Sequence, residues 1–227
     1  MDVGHRAVLQ KSTLFQDMSN EDYESLINCL SPIVKTFTKN EIILMSGETI
    51  KHIGIFLEGR ASAYYEHVDG SRTLVTNLSP MSVLGEILVN TKTQKSPVTV
   101  YAVSDVEIAF IEHHKVYSMC ESACSKHRVF IQNILNTIGD KYFFLFDRVS
   151  ILREKKLRSR IMAYLSSLKN KEGSTSITLP FSKTFLADYL MVNRSALSKE
   201  LHNMVEDGVI KVNGRKIEII DNEVFSA

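Results

Sequence analysis

Arg194, Ser195, Ser198, Lys199 and His202 are the residues whose types and spacing best suit a definite chemistry in this chain of 227 residues. On a helix they share one face, and guanidinium, ammonium, imidazole and hydroxyl groups so arranged read base edges and phosphates in a major groove. The same segment carries apolar residues at Leu197, Leu201, Met204 and Val205, a stripe whose burial leaves the polar groups outside. A second stripe, Phe185, Leu186 and Leu190, precedes it, with Val192 in the short turn between them. Ser182 and Asn193 stand where N-caps are expected for the two helices. From Val209 to Ile219 two alternating strands flank Asn213-Gly214, the strongest short-range hairpin signal, which places Arg215 and Lys216 at the tip. Helix, turn, helix and basic hairpin make a winged helix-turn-helix. The expected base contacts are Arg194, Ser195, Ser198 and Lys199, with Arg194 and Lys199 directed at guanine O6 and N7. Ser182, Lys183, Asn193, Asn213 and Arg215 are expected on phosphates. The plain alternative is a charged helical hairpin without a partner. Caps, stripe, short turn and basic wing together weigh against it.

Other chemistries find little support. His113 and His114 are adjacent, and neighbours on a strand face opposite ways, which is wrong for chelation. His52 and His67 have no distinguishing spacing. Cys120 and Cys124 could share a helix face, but buried or tolerated thiols are commoner than redox pairs. Nucleophile-elbow, phosphate-loop and zinc-protease motifs are absent. No catalytic residue, metal site or cofactor is expected.

With 44% hydrophobic and 23% charged residues the chain can bury a core, so disorder is not expected. The net charge is only +1, but it is unevenly spread. From residue 150 onward there are 13 basic against 9 acidic residues; before it there are 14 against 17. A basic end on an acidic body fits a nucleic-acid module joined to another domain. No apolar run approaches the ~20 residues a bilayer span needs, nor is there a signal-peptide core. Three cysteines without a framework spacing suit a reducing compartment. A cytoplasmic protein with no membrane partner is expected.

The elements that would position the recognition helix begin with a short helix after Ser19, capped in a Ser19-x-x-Asp22 variant of the capping box. Between Ile33 and Glu112 short alternating runs succeed one another at Glu41–Met45, Ile53–Leu57, Ala61–Tyr65, Thr73–Leu78, Val98–Val103 and Val106–Glu112. Such strands, separated by Gly and Pro turns, predict a small antiparallel barrel or sandwich. Residues 126–152 read as one long helix. Ile131, Leu135, Ile138, Tyr142, Leu145, Val149 and Leu152 alternate spacings of four and three, an a/d heptad seam. That seam predicts a parallel homodimer, with a core helix apolar on two sides as the alternative. A hinge follows at 150–156, then a helix over 157–169 and a polar loop over 169–176.

In this order the architecture resembles the cyclic-AMP receptor protein/FNR family of bacterial transcription regulators. The resemblance rests on His52-Ile53-Gly54-Ile55-Phe56-Leu57-Glu58-Gly59-Arg60, Asp69-Gly70, Val83-Leu84-Gly85-Glu86 and Asn193-Arg194-Ser195-Ala196-Leu197-Ser198-Lys199-Glu200-Leu201, and spans nearly the whole chain. It implies an α+β fold: an N-terminal antiparallel β-barrel, jelly-roll-like and of the cyclic-nucleotide-binding kind, then a long dimerisation helix and a winged helix-turn-helix. The domains implied are 1–125, 126–152 and 153–227. In nucleotide-binding members, Gly-Glu opens a phosphate cassette closed by Arg-Ser about ten residues later. Here Gly85 and Glu86 are kept, but Ser96 and Pro97 stand in place of Arg-Ser. A serine hydroxyl does not replace a charged, bidentate anion donor, and Lys95 would point to the opposite face.

Where the family meets the base with small hydroxyl residues, this chain has Tyr142-Phe143-Phe144-Leu145-Phe146. These aromatics either pack barrel onto helix or line a pocket for a flat apolar molecule. The expected effector pocket therefore comprises Gly85, Glu86, Ser96, Val98, Tyr142, Leu145 and Phe146, and a small apolar effector, not a cyclic nucleotide, is its expected ligand. Residues 1–28 hold no cysteine, so the family's iron–sulfur variant cannot be assembled. Ser195 replaces a Glu common in relatives, and Met191 stands where the family commonly has Gly; either positive φ with strain or a shifted turn would accommodate it.

The combined expectation is a homodimeric, sequence-specific transcription regulator on inverted-repeat double-stranded DNA, with RNA polymerase as a further partner. A ligand-independent DNA-binding dimer is the alternative, followed by a barrel enzyme or a protein-interaction module.

Overall fold

The alternation between Ile33 and Glu112 produces eight strands in a computed structural model that describes residues 3–117, 125–179 and 182–221. They are β1 (Ile33–Phe37), β2 (Ile42–Leu44), β3 (His52–Glu58), β4 (Ala61–Glu66), β5 (Arg72–Leu78), β6 (Val83–Leu84), β7 (Thr99–Ala102) and β8 (Val106–Glu112). They form two antiparallel four-stranded sheets, ordered β1-β8-β3-β6 and β2-β7-β4-β5. Of the expected barrel or sandwich, the chain forms the jelly-roll-like sandwich, its two sheets not closing on one another. β6 is only two residues long, paired Gly54↔Leu84 and Ile55↔Val83, and is too short to stitch one sheet to the other. Strand periodicity reveals which side chains face inward but not which edges bond.

One core serves both sheets: Phe56 and Ile108 from the first and Leu44, Ala63 and Val100 from the second are buried in one cluster. Helices α1 (Val3–Gln10), α2 (Asn20–Leu30) and the start of α4 (Ser125–Leu152) add Leu9, Tyr23, Leu26, Phe130 and Ile134 to it. Ile53, Ile55, Ala109 and Ile111 are buried as fully as Phe56 and Ile108, from the alternate positions of β3 and β8. The central strand β3 thus has both faces covered, which is why it reads as a continuous apolar run without polar alternation. Ser19 caps α2 as expected, its hydroxyl accepting from the Asp22 amide. The buried Asn133 amide, on α4, donates to the carbonyls of Leu14 (3.2 Å) and Gln16 (2.9 Å) and ties the N-terminal segment to that helix. His113 and His114 do not continue a strand; they open the short helix α3 (His113–Tyr117). Cys120 and Cys124 lie outside the described residues.

The chain divides into two compact units, Met1–Asp140 and Lys141–Ala227, and α4 runs from one into the other. The second unit continues with α5 (Leu157–Glu172), β9 (Ser176–Thr178), α6 (Lys183–Tyr189), α7 (Arg194–Glu206), β10 (Ile210–Asn213) and β11 (Lys216–Ile219). Its core is built from Ile161, Leu165, Ile177, Leu186, Leu190, Leu197, Leu201, Met204 and Ile217. Helix α5 outlasts its expected end and stops at Gly173, which caps it in the left-handed region. The expected polar loop ends in the strand β9, which begins at Ser176 and completes a sheet ordered β10-β11-β9. A three-residue strand with one buried residue offers no periodicity to recognise.

Candidate nucleic-acid interface

Two local caps set the ends of the helix pair. The Ser182 hydroxyl accepts from the Phe185 amide at 3.2 Å, and Asn193 Oδ1 accepts from the Ala196 amide at 2.7 Å. Both caps match the sequence expectation and satisfy amides that a helix start leaves unpaired. Between them Met191 adopts φ +54°, so the chain keeps the left-handed turn and does not shift it. Such a conformation costs a non-glycine residue about 1 kcal/mol or more.

Burial of Leu197, Leu201 and Met204 leaves Arg194, Ser195, Ser198, Lys199 and His202 exposed on one face of α7. Among the described residues no hydrogen bond or ion pair engages Arg194, Ser198 or Lys199, so their donors are available. Ser195 is partly committed, its hydroxyl donating to Asn193 Oδ1 at 2.8 Å. His202 lies 3.4 Å from Glu206, one turn further on. Val205 belongs to no core and is exposed. From behind, Arg158 on α5 holds α7 through Glu200 (3.5 Å) and Asp207.

The hairpin differs by one residue from the expected Asn-Gly turn. Asn213 pairs with Lys216, so the two turn residues are Gly214 and Arg215. Gly214 carries φ +60° at the first central position, where the type II′ turn requires positive φ. Asn213 and Lys216 are thereby strand ends, and the side chains of Lys211, Asn213, Arg215 and Lys216 are all exposed. Arg215 is not a free cation: its Nε and Nη2 both donate to the Leu179 carbonyl, at 3.0 and 2.6 Å. Half-buried Lys183, beside the α6 cap, completes the expected phosphate set with the exposed Ser182 and Asn193.

In the first unit Gly85 has φ +89°, and a Cβ there would approach the His52 carbonyl oxygen to 2.7 Å. Close backbone packing against β3 therefore demands glycine whatever else the residue does. Glu86 and Ser96 are buried, Val98 is half-buried and Lys95 is exposed. The Ser96 hydroxyl donates to the Val98 carbonyl (2.7 Å) and accepts from the Val98 amide (3.2 Å), which spends it locally. A cavity of about 190 Å³ in this unit is walled by Lys35, Phe37, Glu48, His52 and Phe110, and by none of Gly85, Glu86, Ser96 or Val98. Burial lowers the His52 pKa below its ordinary value. Tyr142, Leu145 and Phe146, the remaining expected pocket residues, belong to the second unit and are exposed.

The α4 seam is not uniform. Leu135 is 56%, Tyr142 61%, Leu145 49% and Val149 59% exposed, whereas Ile131 and Ile138 lean on the first unit's own core. Among the described residues no cluster of His, Cys, Asp or Glu could hold a metal ion, and no helix is long and apolar enough to cross a membrane.

Two family models match the chain: a cyclic nucleotide-binding domain over residues 34–123 and a Crp-like helix-turn-helix domain over 159–225. Among curated proteins, a probable transcriptional regulator flp of Lacticaseibacillus casei is 29% identical over 72 residues. That match covers 32% of this chain and 33% of the relative, about a third of its length. Among solved structures, a mutant of CooA from Carboxydothermus hydrogenoformans superposes with a TM-score of 0.69 at 16% identity, covering 96% of this chain and 95% of that one. The c-di-GMP-responsive global regulator CLP of Xanthomonas campestris gives 0.61 at 15% identity, covering 87% and 99%. The catabolite activator protein of Thermus thermophilus gives 0.52 at 16% identity, covering 94% and 96%. At these identities the likeness to solved structures establishes the shared fold.

Proposed function

The chain belongs to the cyclic-AMP receptor protein/FNR family, and from that premise we propose a homodimeric, sequence-specific transcription regulator governed by an effector in its N-terminal domain. The observation that carries this reading is the exposed set Arg194, Ser198 and Lys199 on α7, without a hydrogen bond or ion pair among the described residues and introduced by the Asn193 cap. Arg194 and Lys199 read base edges; Ser195 assists. Ser182, Lys183, Asn193, Asn213 and Lys216 take phosphates, with Arg215 contributing the donors that Leu179 leaves free. No catalysis is assigned.

Dimerisation is supported by the exposed apolar residues Leu135, Tyr142, Leu145 and Val149 along α4, which water penalises unless a second copy covers them. The protein works in the cytoplasm beside RNA polymerase. Residues 1–125 sense, 126–152 dimerise and 153–227 bind DNA, with reorientation about 150–156. The effector acts by population shift, binding the DNA-competent arrangement more tightly than its alternative. Its site lies in the first unit, near Gly85, Glu86, Ser96 and Val98, and the ligand is small, apolar and not a cyclic nucleotide. Support for that exclusion is the Ser96 hydroxyl, which is spent on Val98 where the family's nucleotide binders have an arginine.

Selection of binding sites from randomised DNA by the full-length protein tests the reading. The expected product is an inverted repeat with half-sites one helical turn apart, ~34 Å. Arg194→Ala is expected to weaken binding by roughly 1–3 kcal/mol and relax one base pair of each half-site. An unaltered motif and affinity in that variant would exclude α7 as the reading helix.

A further inference from the structure

Helix α6 ends in three consecutive carbonyls, Asp188, Tyr189 and Leu190, that run directly into Met191 and the cap of α7. Local amides cover part of this end: Leu190 donates to Leu186, Val192 to Ala187 and Met191 to Asp188. The carbonyls of Tyr189 and Leu190 receive arginines instead, and Asp188 receives one as well. Arg148, on the last turns of α4, donates from Nε to Tyr189 (3.2 Å) and from Nη2 to Asp188 (3.3 Å). Its guanidinium also lies over the Tyr189 ring, 5.2 Å from the centroid. Arg160, on α5, donates from Nη1 to Leu190 (3.2 Å) and from Nε back to the Glu154 carbonyl (2.8 Å) in the link between α4 and α5.

Two cations at the negative end of a helix are favourable, but their origin is more informative than their number. One precedes the 153–156 link and the other follows it. Both converge on the same three residues, so the link is bridged on either side by the segment that introduces α7. The Tyr189 ring reinforces the junction by packing on Phe144 of α4 (5.6 Å) and Tyr164 of α5 (5.3 Å). Any rotation of α7 against the end of α4 must break the bonds of Arg148, those of Arg160, or both.

We propose that Arg148 and Arg160 are positioning residues for DNA recognition. From opposite sides of the 153–156 link they hold the Asp188–Leu190 carbonyls, and so set the angle of α7 against α4. They act through α6 and not by touching DNA, and the inference rests on the DNA-binding reading above. The planar fork of arginine matters because Arg148 spans two carbonyls while stacking on a ring; a lysine ammonium supplies charge without that geometry.

The test measures affinity of the full-length protein and its Arg148→Ala, Arg148→Lys and Arg160→Ala variants for two duplexes. One is the site selected by the wild type, the other a scrambled duplex of equal length. Circular dichroism fixes a temperature at which each variant is folded. The expected result is a loss of about tenfold or more on the selected site for both Arg148 variants, lysine failing to rescue, and a loss in the same direction for Arg160→Ala. Affinity for the scrambled duplex and its salt dependence stay at wild-type values, because phosphate contacts remain. A purely stabilising role would lower the melting temperature and leave the ratio of the two affinities unchanged, and that outcome overturns the proposal. Should Arg148→Ala fail to fold, Arg148→Lys and Arg160→Ala carry the same comparison. A wild type that selects no site refutes the DNA-binding reading itself; one that selects a site, with variants of unchanged ratio, refutes only the clamp.

Discussion

Arg215 and Leu179 are bonded in both directions: the guanidinium donates twice to the Leu179 carbonyl, and the Leu179 amide donates to the Arg215 carbonyl at 2.9 Å. The wing tip is thus fastened to the chain leaving β9, and a side chain that looks like a free cation in the sequence is a structural tie.

That tie separates two substitutions. Arg215→Ala removes two charge-assisted bonds from the carbonyl of buried Leu179, and is expected to cost roughly 1–3 kcal/mol of stability, visible as a lowered Tm. Lys216 is exposed and makes no ion pair among the described residues, so Lys216→Ala is expected to leave Tm unchanged and to reduce the salt slope of DNA binding by about one for each phosphate no longer neutralised. Thermal melts and salt titrations of the two variants distinguish these effects.

Dimerisation is best probed at Leu135. Ile138 leans on the core of its own chain, so Ile138→Asp would damage the fold as well as a seam. Leu135 is more than half exposed, and Leu135→Asp is expected to keep the monomer folded while placing a charge in the interface, at a cost of several kcal/mol of association. Sedimentation should show monomer at concentrations where the wild type is dimeric; an unweakened dimer would mean that α4 pairs elsewhere or not at all.

Cyclic AMP and cyclic GMP are expected to bind no tighter than millimolar. Ser96 has no donor to spare for a phosphate, and Lys95, the nearest cation in sequence, faces out. Calorimetric titration reads this directly, and micromolar affinity for either nucleotide would refute it.

Met191→Gly is expected to stabilise the second unit by about 1 kcal/mol. Relief of left-handed strain exceeds the loss of a side chain that is largely exposed. A rise in Tm with the selected DNA motif unchanged is the expected pair of observations; a fall in Tm would mean that the side chain packs more than its exposure suggests.

Features that depend on near neighbours were legible in the sequence. The caps at Ser19, Ser182 and Asn193 each bond an amide three residues on, and side-chain chemistry alone identifies such sites. Six of the eight strands of the sandwich, all but β1 and β6, and the length of α4 followed from their periods, and the exposed face of α7 from subtracting its apolar stripe. Less local features were missed or displaced. The hairpin turn sits one residue beyond the Asn-Gly pair, and β11 pairs on its other edge with β9, a strand with no signature of its own.

The sequence by itself determined the order of elements, the caps, the exposed polar face of α7 and the want of an anion-binding arginine at Ser96. All of these are properties of residue type and of spacing within a few turns of chain. Only the tertiary structure decided that the strands form an open sandwich, that Ile138 serves its own core, and that Arg148, Arg160 and Arg215 are committed to carbonyls 40, 30 and 36 residues away. A guanidinium on a helix surface looks the same in sequence whether water or a distant backbone oxygen accepts its protons. The choice depends on which carbonyls the folded chain brings within about 3 Å, and no local pattern encodes that distance.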